Sequence, residues 1–337
     1  MIEQIQITAG ARLHFTLLDM HGAFSGRVDG GLGVPIEYPR VKLTMRKSST
    51  SKVTSITSLS SNIETEFEQQ ILAVLSNIQG EFRLGGVHVA FNECIPPHAG
   101  FGSKTQTLLS VAYGYCEMFD IKTTPESLAA LIKRGGTSGI GVESFFNGGL
   151  IVDCGHKFEN KGNLFTPSSL SSHITRPPLV GRYTFPNWPV LIVTPHQSRQ
   201  IYGDVERALF EAVCPIPLGD VQQCAHVILM MTIPAVIESN LKVFCESINI
   251  FQKLRWKQFE INAQTPIVRE TMKHLSDIGL DGIGMSSWGG SVFAFGEKLS
   301  YASDEIIRKT NMFLAENGGG VCFVTNVKNN GARIEKK

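Results

Sequence analysis

Apolar and polar residues alternate along the start of the chain. Within the first 47 residues, "EQIQITAG", "ARLHFTLL" and "VKLTMRK" have alternating or β-branched character, and Gly22, Gly26 and the Gly30-Gly31 pair punctuate them, which predicts short strands. The polar run Ser48 to Ser61 reads as an exposed loop or edge hairpin. The period then becomes helical in "EFEQQILAVLSNI" (Glu66 to Ile78), returns to a strand in "GVHVAFNE", and becomes helical again from Leu108, where Ala112, Tyr115 and Phe119 predict a buried stripe. "TPESLAALIKR" (Thr124 to Arg134) opens with a cap, a proline and an acid in helix-start order. "SGIGVESFFNGGLIVDCG" leads back to a strand through a glycine-rich turn.

The segment Lys157 to Asn187 is rich in Ser, Pro and polar residues and lacks periodicity, which places a domain boundary there, with units at 1–180 and 188–337. Beyond it come a strand at Pro189 to Pro195, helices between about Asp204 and Leu275, the loop "DGIGMSSWGGSVFAFG", a helix near "SDEIIRKTNMFLAEN" and a closing strand "GGVCFVTNV". The alternation predicts an α+β architecture in both halves. The apolar stretch Ala225 to Ile237 is shorter than the ~18 residues of a spanning helix and contains Pro234, so a core helix with a break is expected and no membrane partner.

Composition narrows the function classes. A formal net charge of +1 over 337 residues argues against general attraction to nucleic acid or an anionic membrane, and confines any cationic site to a local pocket. Seven cysteines without C-x-x-C spacing read as reduced, mostly buried thiols, and "MIEQIQITAGARLHF" has no basic start or apolar run of an export signal; both favour the cytoplasm.

The chemistry concentrates where "PPHAGFGSKTQ" (Pro96 to Gln106) meets its helix. Gly100 and Gly102 let backbone approach an anion, Ser103 and Thr105 bring hydroxyls and first-turn N–H groups, and Lys104 adds a point charge. The spacing matches neither the nucleotide P-loop nor the dinucleotide fingerprint. Two readings stand on the local pattern: a phosphate site, or a helix entry through a glycine-proline turn with no ligand.

This loop, "ARLHFTLLD" (Ala11 to Asp19), "GRVDGGLGVPIE" (Gly26 to Glu37) and "GMSSWGGS" (Gly284 to Ser291) together resemble the GHMP superfamily of small-molecule kinases. Within it, the chain is similar to the β-ribofuranosylaminobenzene 5'-phosphate synthase family over nearly its whole length. The resemblance implies a two-domain GHMP-kinase-like fold, with a ribosomal S5 domain 2-like first half and a ferredoxin-like second half. It implies a decarboxylating phosphoribosyltransferase that joins phosphoribosyl diphosphate to 4-aminobenzoate or 4-hydroxybenzoate, releasing CO2 and diphosphate, in the biosynthesis of methanopterin-type carriers. Mg²⁺ and a homodimer are expected with it.

On that resemblance the Gly100 to Thr105 loop, with Lys104 and Mg²⁺, stabilises the departing diphosphate. Arg12, His14 and Arg27 are candidates to clamp anions, bidentately for the arginines; His14 reads equally as a satisfied core histidine. Asp29 is expected to orient ribose hydroxyls or hold Mg²⁺, with a salt bridge to Arg27 or Arg12 as the competing role. Ser286 and Ser287 are expected to meet a phosphate or support the first loop, Glu143 to contact metal or substrate, and Arg333 to contact a phosphate. Two positions depart from the family pattern: Lys104 stands where a small residue is usual, and Val142 where the kinases carry Asp. A heteroaromatic acid as acceptor, an ATP-dependent kinase and a non-catalytic ligand-binding protein are the alternatives.

Overall fold

The computed structural model describes residues 2–55, 61–167 and 176–337. Residues 56–60 of the polar run and 168–175 of the expected boundary segment lie outside the described residues. Two antiparallel hairpin arms begin the fold: β1 (Gln4–Asp19) and β2 (Arg27–Ser48), far longer than the short strands the glycines predict. Gly10 does not end β1, because the strand runs through it and a side chain there would collide with the Ile36 carbonyl of β2. β3 (Lys52–Ser55) then pairs in parallel with β4 (Gly86–Glu93), joined through α1 (Ser61–Phe82). Part of the polar run is therefore a strand.

The phosphate-loop candidate leads into α2 (Ser103–Met118), followed by α3 (Pro125–Leu131) and the short α4 (Ile140–Phe146), which stands where a turn is expected. Thr124 and Ser127 close a capping box that starts α3. β5 (Leu150–Asp153), β6 (His156–Lys157) and β7 (Leu179–Tyr183) complete the first half. The second half runs β8 (Pro189–Pro195), α5 (Gly203–Val213), α6 (Leu218–Val227), α7 (Ile233–Ile237), α8 (Leu241–Lys253), α9 (Arg255–Asn262), α10 (Pro266–Asp277), the hairpin β9 (Gly282–Met285) and β10 (Val292–Phe295), α11 (Ser303–Glu316) and β11 (Gly320–Asn326). β12 (Arg333–Lys336) returns to the first sheet and pairs with β1.

The first sheet has the order β12-β1-β2-β4-β3, with β5 and β6 on the other half of β2 and β7 beyond β5. The second has the order β11-β8-β10-β9, all antiparallel, a β-α-β-β-α-β arrangement of ferredoxin-like type. The protein is thus an α+β chain built on two sheets.

Inward alternation explains the pairing: Ile5, Ile7 and Ala9 of β1 and Val41, Leu43 and Met45 of β2 are all fully buried. In α8, Phe244, Ser247, Ile248 and Phe251 recur at helical spacing and are buried, while the Asn240 side chain accepts the Val243 N–H at 3.2 Å to cap the start. The apolar run from Leu218 to Ile237 is continuous helix with one π turn, Ile228–Thr232, ahead of Pro234. The turn absorbs the proline's missing N–H, and Val221, Cys224, Val227 and Ile228 pack inward.

One apolar cluster runs through both sheets, from Ile7, Leu43 and Val89 to Ile192, Phe244 and Phe293. Phe15 of β1 is its bolt, with ring centroids 5.0 Å from Phe293, 6.1 Å from Phe244 and 6.3 Å from Phe295. Such tilted and edge-on contacts add to the burial energy of the ring. Phe15→Ala is expected to lower unfolding free energy by about 3–5 kcal/mol in urea titrations, with Phe15→Leu losing less; an unchanged midpoint for the alanine variant would show that the two sheets do not depend on this contact.

Candidate active site

The loop from Pro96 to Gly102 delivers the chain to the N-terminus of α2. Gly102 precedes the helix at φ +70° and brings no side chain to cap it. The first turn of α2 opens at the mouth of a cavity of about 360 Å3 lined by Ser103, Lys104 and Thr105. Gly100, at φ +86°, is needed for closeness as well as for its dihedral: a side chain would strike the Ser286 carbonyl, and Gly289 is pressed against the Gly100 amide in turn.

Arg12 and His14 reach this place because β1 is bulged on both sides of them. Its register with β2 shifts between Gly10 and Arg12 and again between His14 and Thr16, and bulges re-aim side chains. The Arg12 guanidinium donates to the Gly100 carbonyl, and its backbone N–H donates to Phe101 O at 3.0 Å. Ser286 Oγ donates to the same Gly100 carbonyl at 2.7 Å and accepts the His14 N–H at 3.1 Å. Arg134, after the end of α3, joins the wall and donates to Thr105 Oγ1 at 3.0 Å. Burial, then the facing Arg134, brings Arg12 down to about 10, and burial lowers Arg134 as well. Both stay cationic at neutral pH, two charges whose mutual repulsion an anion would relieve.

On the same wall, His14 Nε2 lies 3.3 Å from Ser138 Oγ, which donates to Asp153 Oδ2 at 3.1 Å. Gly31 makes room: a Cβ there would lie 2.7 Å from Ser138 Oγ and 2.9 Å from His14 Nε2. Asp153 is fully buried, and burial pushes its carboxyl up to about 7 against the pull of the Gly155 and Gly139 N–H groups. His14 is held well below its ordinary value by burial, then by Arg12 and Lys257, so the imidazole is neutral.

The opposite wall comes from the second half of the chain. Glu206 of α5 and Glu260 of α9 line the cavity with Phe210 and Trp288. Glu260 is engaged at both oxygens, by Trp256 Nε1 at 3.2 Å and the buried Lys257 Nζ at 2.6 Å. Glu206 faces Arg134 and Arg12, and burial raises its carboxyl to about 7. At the rim the His98 and Tyr202 rings stack with centroids 3.9 Å apart.

Of the residues expected from sequence, Arg12, His14, Gly100, Gly102, Ser103, Lys104, Thr105 and Ser287 line the cavity. Ser286 is buried behind it and serves as a support for the loop. Asp29, Arg27 and Glu143 do not line it, which corrects their expected catalytic and metal roles. The Asp29 carboxylate is sealed in the interior by Lys161 Nζ at 2.7 Å and His156 Nδ1 at 3.0 Å. Arg27 donates to the Cys154 and Gly155 carbonyls, at 2.8 and 2.6 Å. Glu143 is fully buried in an ion pair with Arg176 and also accepts from Asn147 Nδ2 at 2.8 Å. Arg333 is exposed on β12, paired with Glu335. Unforeseen as site residues were Arg134, Ser138, Asp153, Glu206 and Glu260, although Arg134 closes the helix expected from Thr124, and Ser138 and Asp153 lie in the glycine-rich stretch that leads back to a strand.

Fold and cavity together define a GHMP-kinase-fold protein with an arginine-lined cavity at a helix start. The GHMP kinases N terminal domain model matches residues 69–149. Homoserine kinase from Cytophaga hutchinsonii superposes at a TM-score of 0.70 with 16% identity, covering 99% of this chain and 98% of that one. L. major mevalonate kinase gives 0.67 with 10% identity, covering 97% and 96%. By sequence the chain is 34% identical over 342 residues to the β-ribofuranosylphenol 5'-phosphate synthase of Methanothermobacter thermautotrophicus, covering 100% of both. It is 32% identical to the Methanocaldococcus jannaschii protein of the same name, covering 97% of this chain and 99% of that one. The chain belongs to the β-ribofuranosylphenol 5'-phosphate synthase family.

Two predictions follow the electrostatics of these buried groups. Asp29→Ala strands the Lys161 ammonium in the interior and is expected to cost about 3–5 kcal/mol of stability, read from denaturant midpoints. For Asp153, a carboxyl raised from 3.8 to about 7 holds a proton in the folded chain that the unfolded chain has lost, so its contribution to stability falls as pH rises through that window. Asp153→Asn removes this term; its melting temperature should gain on wild type between about pH 4 and about pH 7, whereas a constant offset across those pH values would contradict the assignment.

Proposed function

We propose that this protein is a decarboxylating phosphoribosyltransferase, joining phosphoribosyl diphosphate to a para-substituted benzoate, 4-hydroxybenzoate or 4-aminobenzoate, with release of CO2 and diphosphate. The observation that carries the reading is the uncapped start of α2 facing Arg12 and Arg134 across one cavity. Family membership supports the same reaction, since the relatives' name specifies a ribosylated phenol phosphate.

The chemistry follows from these residues. As the bond from the anomeric carbon to diphosphate breaks, the sugar gains oxocarbenium character and the leaving group gains charge. The Ser103 to Thr105 N–H groups and the two guanidiniums are fixed before the event, so they stabilise that charge without reorganising. The benzoate ring is a weak carbon nucleophile and gains most from being held against the anomeric carbon. Leu17, Ile201, Phe210 and Trp288 give the cavity an apolar side suited to that ring. A carboxylate poorly solvated there is primed to leave as CO2.

Mg²⁺ is part of the proposal; among the described residues no cluster of three His, Cys, Asp or Glu could hold it alone, so we assign it to one carboxylate and the substrate's own phosphates. Asp29 and Glu143 are sealed in ion pairs, and Glu260 is spent on Lys257 and Trp256. Among the described residues Glu206 is the remaining cavity carboxylate, and Mg²⁺ commonly takes one or two carboxylates together with substrate phosphates. Bound there, the ion would neutralise charge on the diphosphate.

The kinase alternative has only the fold on its side, and fold does not fix chemistry. Purified protein supplied with phosphoribosyl diphosphate, Mg²⁺ and either acid should release diphosphate and CO2 in equal amounts, and only when the acid is present. Arg12→Ala and Arg134→Ala should each weaken phosphoribosyl diphosphate binding about 10- to 100-fold, the loss of about 1.5–3 kcal/mol for a charge-assisted bond. Protection against thermal unfolding by ATP, with none by phosphoribosyl diphosphate, would sink the reading.

A further inference from the structure

His14 is 5% exposed and lies on the cavity wall, and the bonds around it decide which of its nitrogens is bare. Ser138 Oγ has one proton to give and two lone pairs to fill. Its proton goes to Asp153 Oδ2 at 3.1 Å, one lone pair takes the Ile140 N–H at 3.2 Å, and the second faces His14 Nε2 at 3.3 Å. Nε2 is therefore the protonated nitrogen, and Nδ1 carries the lone pair. Among the described residues nothing donates to Nδ1, although it is buried. The His14 backbone is held in place, its N–H on Ser286 Oγ and its carbonyl on the Ser287 N–H at 3.3 Å. Nearly all buried acceptors in proteins find a donor, and the cavity's ligand is what can supply this one.

We propose that His14 Nδ1 accepts the proton of the para-hydroxyl of the aromatic acid, with Ser138 and Asp153 as positioning residues that fix its tautomer. The inference rests on the reaction proposed above and adds the catalytic base to it. The ring carbon bearing the carboxylate bonds to the anomeric carbon as the carbon–oxygen bond to diphosphate breaks, its electron pair leaving on diphosphate. The hydroxyl proton passes to Nδ1, and the O–H pair closes a carbonyl at the para position. Loss of CO2 returns the C–C pair to the ring, and the para oxygen recovers its proton from the imidazolium.

A weak base suffices for this step. The hydroxyl becomes strongly acidic only as the ring donates its electrons, so the proton moves when it is already labile. The charged groups facing His14 allow only a transient imidazolium: Arg12 and Lys257 oppose it and return the proton. An amino group in the same position stabilises the intermediate without giving up a proton, so the demand for the base is specific to the hydroxy acid.

The test compares 4-hydroxybenzoate with 4-aminobenzoate in wild type, His14→Asn and Ser138→Ala, with phosphoribosyl diphosphate protection against thermal unfolding as the check on folding and binding. His14→Asn should keep that protection and lose at least about 100-fold in kcat with the hydroxy acid, with a much smaller loss for the amino acid. Ser138→Ala should show a lesser loss with the same preference. Equal losses with both acids, or none, in a variant that still binds phosphoribosyl diphosphate would overturn the role of His14 and leave the reaction standing. A wild type that turns over neither acid would remove the reaction, and this inference with it.

Discussion

Everything at the site depends on how closely two glycine loops cross. The Gly100 carbonyl takes the Arg12 guanidinium from β1 and the Ser286 hydroxyl from the loop between β9 and β10, so three distant segments meet on one acceptor. That junction needs Gly100 and Gly289 to pass without side chains between them. Its consequence is electrostatic as well as mechanical. At the other side of the loop, Gly102 brings no capping side chain to the start of α2, whose first turn lines the cavity.

The second half of the chain contributes to this cavity more than support. Phe15 joins the sheets in one core, and the adjacent cluster of Leu17, Ile201, Phe210 and Trp288 gives the cavity an apolar lining beside Glu206 and Glu260. A cavity with cations at the start of α2 and apolar lining elsewhere is suited to a substrate pair in which one partner is a polyphosphate and the other a ring. The cavity depends on both sheets at once, so the core contact that joins them also sets the distance between the two walls.

The sequence disclosed what is local and hid what is long-range. The strand, glycine loop and helix around Gly100 are legible because their signals lie within a few residues of each other. Arg12 and His14 were legible as polar residues on a strand, but not the two bulges that turn them inward, since a bulge depends on the register with β2. Asp29 beside Gly30-Gly31 has the look of a ligand; its actual partner is Lys161, which nothing near Asp29 announces. Arg134, Glu206 and Glu260 enter from the ends and faces of separate helices, each unremarkable in its own neighbourhood. The length of β1 and β2 was misread for a related reason: glycine marks a break in isolation, yet here it lets neighbouring backbones come close.

A helix start with paired arginines suits a polyphosphate of any kind, and one fold can carry more than one chemistry. What separates those chemistries has to lie away from the phosphates. Val142, expected from the resemblance to stand where the kinases carry an acid, is buried on α4, while a neutral histidine, tied through a serine to a buried aspartate, stands on the wall. A kinase must take a proton from an aliphatic hydroxyl that remains a poor acid until attack, which calls for a charged group close by. A ring attacking an oxocarbenium centre acidifies its own para-hydroxyl, so a neutral, desolvated imidazole is enough. On the proposed reaction, an apolar Val142 and a buried His14 fit a site that activates a carbon nucleophile rather than an oxygen one.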